Sequence, residues 1–286
     1  MAMGIKKKTI TIANTTGHYL IMIGIAIFVL FPYYWLIISS LKPPHQQTLS
    51  PTVWIPEYLD FSNYTEVWKT IPMLRYMLNS LFVSACTVAM CLVFSVTAAY
   101  SLSRFAFKGK HGVIGTILFS QLIPGMLPFV SFYFMMFNLH LTNNYAGLII
   151  AYAIWGIPFS TLMMRSYFTA ALPKELEESA IIDGCTRWGV FLRIAVPLAV
   201  PGIIATAIFA FILSWNEFMW ASVMMTNNAI KTVAVGIYDY IGQYGGNVRI
   251  AMTMATAVLT TLPAMLIFCF LQKYLISGLT SGAVKG

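Results

Sequence analysis

Carboxylates are the first candidates for chemistry in this sequence because it holds so few of them. Of nine acids in 286 residues, four (Glu175, Glu177, Glu178 and Asp183) fall in a single stretch from Leu172 to Pro197. Acid–base or metal chemistry would need companions that the chain lacks. There is no HExxH, no GxSxG and no GxxxxGK[ST] phosphate loop, and His18, His45, His111 and His140 are scattered without ligand spacing. Cys86, Cys91 and Cys269 sit inside apolar runs while Cys185 lies in the charged stretch, which suggests neither a disulfide frame nor a metal cluster. We therefore expect no catalytic residue, no metal site and no cofactor held by this chain. The acids fit a helix start instead: Pro173 suits the first helical position, and Glu175, Glu177 and Glu178 follow where the helix dipole favours negative charge. Gly184 interrupts the pattern. Trp188, Phe191 and Leu192 then recur at helical spacing beside Arg187 and Arg193 until Pro197. The stretch predicts a short helix, a turn and a second amphipathic helix; its plainest alternative reading is a solvated loop between membrane helices.

The elements around this island set its class. A hydrophobic fraction of 59%, only 9% charged residues and a mean hydropathy of +0.77 describe an all-α, polytopic membrane protein. A net charge of +8 comes without the dense basic patch that nucleic acid would need, so no nucleic-acid partner is expected; membrane lipid is. Six transmembrane helices are predicted. The first runs from Tyr19 to Leu41; it is longer than the apolar core of a signal peptide, lacks a small-residue cleavage site and ends in the aromatic belt Phe31 to Trp35. Lys42 to Arg75 reads as an external loop with one short helix, and Tyr76 to Ser103 as the second span. Residues 111–164 carry no formal charge and break at Asn138 to Tyr145 into a third span with Pro124 and Pro128 and a fourth with Gly156 and Pro158, prolines read as packing kinks in preference to gating hinges. Leu198 to Asn216 is the fifth span, Met224 to Arg249 an external loop, and Ile250 to Gln272 the sixth. By domain, residues 1–17 form the N-terminal segment, 18–75 the first helix and external loop, 76–272 the core containing the 172–197 loop, and 273–286 a tail.

Charge orients these spans. Lys6, Lys7, Lys8, Arg104, Lys108, Lys110, Lys174, Arg187, Arg193, Lys273 and Lys285 share one side, against Lys42, Lys69, Arg75, Lys231 and Arg249 on the other. The richer side is cytoplasmic, so both termini and the acidic island belong there, in a multi-pass protein of the cell (inner) plasma membrane. Glu217 lies within an apolar run, about 28 Å from Leu198 at helical rise, near the outer interface. Asn216 and Glu217 are read either as pathway or gate residues or as an interface cap. Tyr152 and Trp155 in the fourth span are read either as pathway residues or as aromatics that simply pack the helices. With almost no ionisable group at mid-membrane, a proton- or sodium-coupled carrier is disfavoured, and the energy for transport must come from a partner.

The spacing within the island carries a resemblance. Glu178, Ser179 and Ala180, three residues, Gly184, nine residues, Ile194, one residue, then Val196 and Pro197 resembles the EAA loop of ABC importer permeases, which runs Glu-Ala-Ala, three residues, Gly, nine residues, Ile, one residue, Leu-Pro. Ser179 and Val196 depart from that pattern by small steps in size. The YMLNS of Tyr76 to Ser80, the WNEF of Trp215 to Phe218 and the terminal GLTSGAVKG are similar to permeases of carbohydrate-type ABC importers, above all the smaller, six-span subunit of maltose-type systems. The resemblance implies a type I ABC importer permease fold and an ATP-driven importer of a sugar or oligosaccharide. The implied partners are a second homologous permease subunit, two ATP-binding subunits that hold ATP and Mg, and an extracytoplasmic substrate-binding protein. It further implies that Glu178, Ser179, Ala180, Asp183, Gly184, Ile194 and Pro197 belong to the ATPase-coupling loop, and that Gly278, Leu279, Thr280 and Gly286 lie in a tail that reaches the ATPase. The alternatives are a permease for another small solute, which would explain WNEF and the tail less well, and a channel or scaffold without an ATPase, in which the island is incidental.

Overall fold

The computed structural model describes the backbone of residues 2–47, 52–243 and 250–283, and side chains over 17–47, 52–238 and 250–273. Every regular element among them is helical. The chain divides into two compact units, Met1–Thr70 with Gln243–Leu259, and Ile71–Gly242 with Thr260–Gly286.

In the first unit, α1 (Ala2–Ser40) presents apolar side chains around its whole circumference from Tyr19 to Leu30, all exposed, as a helix bathed in lipid does. The chain beyond it folds back on the helix end. Asp60 donates its backbone N–H to the Leu41 carbonyl (2.9 Å), Asn63 gives its Nδ2 to the Ser40 carbonyl (3.0 Å), and Tyr64 meets Ser40 Oγ at 2.7 Å. Asn63 and Tyr64 open the short helix α2 (Ser62–Thr70), the one the sequence predicts for this loop. Lys42 is buried here with its Nζ 4.1 Å above the Trp35 ring. Burial pulls its pKa below the ordinary lysine value, and the indole face is what compensates the charge.

The second unit is built on α3 (Met73–Arg104) and α6 (Tyr145–Ala171), the most extensive helix pair, with α10 (Val200–Trp215) packed against both. The α3 and α6 backbones can approach closely because Gly156 has no side chain: a Cβ there would lie 2.7 Å from Cys91 Sγ. Asn144 caps α6, accepting the Ala146 N–H at 2.9 Å. Both helices finish at the same end of the unit, where Arg104 meets Leu172. At their opposite ends Asn79 binds the Ala229 and Lys231 carbonyls and accepts the Tyr145 hydroxyl. The 104–112 turn and the 172–197 loop therefore share one side, as the charge pattern predicts.

Two expectations need correction. The third span is not one helix but two, α4 (Lys110–Leu122) and α5 (Phe129–Asn138), of 13 and 10 residues, where about 20 are needed to cross the hydrocarbon. Pro124 and Pro128, which lack N–H donors, interrupt the helix outright and do more than kink it. The region after Met224 is not all loop: beyond α11 (Met219–Met224) comes α12 (Val233–Gln243), whose first N–H is held by Ser80 Oγ at 2.8 Å. Among the described residues four helices, Gly17–Ser40, Met73–Arg104, Tyr145–Ala171 and Ile250–Lys273, are apolar and long enough to cross a membrane, and the bent pair Arg187–Leu198 and Val200–Trp215 makes a fifth if the two are counted as one span. The last of the four is part of α13 (Ile250–Ala283), so the expected tail begins as a continuation of this helix.

Candidate functional site

The charged stretch folds as its residue types direct. Pro173 is extended (φ −62°, ψ 136°) and stands just before α7 (Lys174–Ile182), one position earlier than the sequence suggests. The helix ends in a Schellman turn, with the Gly184 N–H on the Ile181 carbonyl (3.0 Å) and the Cys185 N–H on the Ala180 carbonyl (2.9 Å). Gly184 makes this possible at φ +86°, a conformation that costs an L side chain about 1–2 kcal/mol. Among the described residues, its own chain neighbours aside, no atom stands within 4 Å of where its Cβ would be, so the demand is conformational and not steric. Thr186 then caps α8 (Arg187–Val190), its Oγ1 accepting the Gly189 N–H at 3.1 Å. A π turn over Phe191–Ala195 follows, closed by the Val196 N–H on the Phe191 carbonyl. Next comes α9 (Val196–Leu198), and the axis bends by 73° into α10. Pro201 has no N–H to bridge that bend.

The two faces of α7 differ. Outward lie Glu175, Glu178, Ser179 and Asp183 together with apolar Leu176, Ile181 and Ile182, the last 84% exposed; Ala180 is half-buried. Charged and apolar groups mixed on an exposed helix outside the spans suit a protein partner. Inward lies Glu177, which the sequence reading placed only as a first-turn acid. Its Oε1 accepts Arg104 Nε at 2.7 Å and its Oε2 accepts the Tyr100 hydroxyl at 3.0 Å, with the two charged side chains 7% and 9% exposed. Arg187 stacks over the Phe105 ring at 5.2 Å, beside a cleft of about 310 Å³ that includes Thr97, Ser101 and Trp188. Ile194 is half-buried in the π turn and Pro197 is exposed in α9.

Other candidates lie apart from this loop. Glu217 accepts the N–H groups of Trp220 (2.8 Å) and Ala221 (3.2 Å), capping α11, while Asn216 turns its Nδ2 back onto the Ile212 carbonyl at 3.0 Å. Tyr152 is fully buried, and its hydroxyl has no hydrogen-bond partner among the described residues. Trp155 stacks on Trp220 at 6.2 Å. Tyr152 belongs to, and Trp155 packs against, the apolar core formed by α3, α5, α6, α11 and α12. Gly278, Leu279 and Thr280 fall in the last turns of α13 beyond the described side chains, and Gly286 lies outside the described residues.

Comparison with known proteins agrees with this architecture. Residues 61–281 match the family described as binding-protein-dependent transport system inner membrane component. The chain is 34% identical to the diacetylchitobiose uptake system permease protein DasC of Streptomyces coelicolor, over 90% of this chain and 92% of the relative. It is 34% identical to the trehalose/maltose transport system permease protein MalG of Thermococcus litoralis, over 93% and 96%, and 32% identical to the arabinooligosaccharides transport system permease protein AraQ of Bacillus subtilis, over 92% of each. The fold is shared with a chain of a bacterial ABC transporter involved in the import of the acidic polysaccharide alginate, at a TM-score of 0.77 and 23% identity, over 92% of this chain and 96% of that one. The chain belongs to the binding-protein-dependent transport family, as one of its inner membrane components.

Proposed function

We propose that this chain is a permease subunit of an ATP-driven importer of di- or oligosaccharides, and that its 172–197 loop is where ATPase subunits engage it. One observation carries the loop's role: α7 lies outside the apolar spans, exposes Ile181 and Ile182 beside Glu178 and Ser179, and is fixed from behind by a buried ion pair to α3. A surface that is both apolar and braced suits a partner that pushes on it. The carbohydrate reading is supported by the three relatives, whose names specify diacetylchitobiose, trehalose/maltose and arabinooligosaccharides. In this reading a second permease completes the pathway, two ATP-binding subunits hold ATP and Mg against the loop and the tail at Gly278 to Gly286, and an extracytoplasmic binding protein delivers the sugar. The loop side, with both termini, is cytoplasmic, because its bases outnumber those on the other side. Closure of the ATPase pair shifts α7 and, with it, the spans that open the pathway to one side or the other.

The test is accumulation of a panel of radiolabelled di- and oligosaccharides by cells with and without this chain. We expect uptake of at least one to be abolished by deletion and restored by the chain. Unchanged uptake of every saccharide, with loss of uptake of another solute class, would contradict the carbohydrate reading.

A further inference from the structure

Three helix ends and one turn meet at a single carboxylate that the docking face does not use. Glu177 points inward while Glu175, Glu178 and Ser179 on the same helix point outward. Arg104, the last residue of α3, gives Nε to Glu177 Oε1 at 2.7 Å and Nη2 to the carbonyl of Leu172, the residue that closes α6, also at 2.7 Å. Tyr100, one turn earlier on α3, donates its hydroxyl to Glu177 Oε2 at 3.0 Å. Its ring lies 5.6 Å from Phe168 on α6 and 4.8 Å from Phe191 in the π turn. Both carboxylate oxygens are thus committed to α3, and two of the three guanidinium nitrogens are committed, one to α7 and one to the end of α6.

Stability alone does not account for such a group. A buried ion pair loses most of its attraction to desolvation, and apolar side chains of the same volume would hold the helices together at least as well. What charge-assisted bonds add is fixed register, since they tolerate little change in distance or angle. We propose that Glu177, Arg104 and Tyr100 form a coupling pin: positioning residues that make α7, α3 and α6 move as one body when a partner displaces α7. The proposal rests on α7 being the docking helix. Force applied to the exposed Ile181 and Ile182 is then delivered to the two helices that cross to the far side of the unit, and is not absorbed by bending of the 172–174 connection.

The test uses the complete transporter in nanodiscs, with nitroxides carried on Ser179→Cys in α7 and Leu78→Cys near the far end of α3, the native cysteines being replaced. Pulsed electron spin measurements compare the nucleotide-free and ATP–vanadate-trapped states. With the pin intact the label-to-label distance stays within ~2 Å, the size of a small helix shift. With Glu177→Gln, and with the milder Tyr100→Phe as a check on folding, trapping should shift or broaden the distance, while Ser179→Cys still crosslinks to the ATPase. The exchanged pair Glu177→Arg with Arg104→Glu should restore the constant distance, a rescue that a packing role would not give. A wild-type distance that changes on trapping, or substituted proteins whose distance stays as constant as the wild type, overturns the pin. If crosslinking persists in either case, the docking reading survives it. Absence of any crosslink in the wild type removes the docking reading and the pin together.

Discussion

Glu177 and Glu217 are the same residue type, the first buried and the second half-buried, yet their partners lie at very different distances along the chain. Glu177 is held by Arg104 and Tyr100, 73 and 77 residues away, and so ties helices together. Glu217 accepts N–H groups three and four residues ahead, and so finishes one local turn. A buried carboxylate reports function only through what satisfies it. Side-chain cations from other elements make a joint, whereas backbone donors make a cap.

Substitutions can break or sharpen that contrast. The largest effect belongs to Arg104→Met, which leaves the Glu177 carboxylate buried without its cation. The cost is about 3–5 kcal/mol, read as loss of assembled transporter and a fall in its midpoint of thermal unfolding. Next is Gly184→Val, which forces a β-branched residue to positive φ at about 1–2 kcal/mol or more. Sugar uptake should fall while ATP hydrolysis by the assembled complex continues, and uptake per ATP is the quantity to measure. Glu217→Ala removes a cap, about 1 kcal/mol, visible as a small drop in thermal stability. Glu217→Gln keeps an acceptor and should transport nearly as the wild type does. If Glu217→Gln abolished uptake with the fold intact, Glu217 would be a pathway residue and the contrast would collapse. Smallest of all is Lys42→Met, which keeps the length of the side chain over Trp35 while removing a charge that burial disfavours. Stability should change by less than ~1 kcal/mol, because the lost cation–π attraction and the relieved desolvation oppose each other.

Local signals made the shape of the 172–197 loop legible in the sequence. First-turn acids, a glycine at the one position that needs positive φ, and the spacing to Pro197 are all read within 26 residues, and the fold reproduces helix, turn and helix. The pin was not legible, because Arg104 and Glu177 look like a positive-inside residue and a dipole acid until the chain brings them together. The only hint was Arg104 as the charged residue that follows a long uncharged run. The division of the third span was half-visible: Pro124 and Pro128 stood in the sequence, but unbroken apolarity from Val113 to Phe137, apart from short uncharged polar residues, hid how completely they stop the helix. The helix α12 was missed because a glycine-rich stretch carries no clean period, and what fixes its start is Ser80 on a distant helix.

The most direct test of the account is a crosslink from Ser179→Cys or Asp183→Cys on α7 in membranes that contain the co-expressed partners, with and without ATP. The account predicts capture of an ATP-binding subunit, with a yield that changes when ATP is added. Exposed, reactive cysteines at both positions that capture no ATP-binding subunit in either state would contradict it and leave the charged loop without a coupling role.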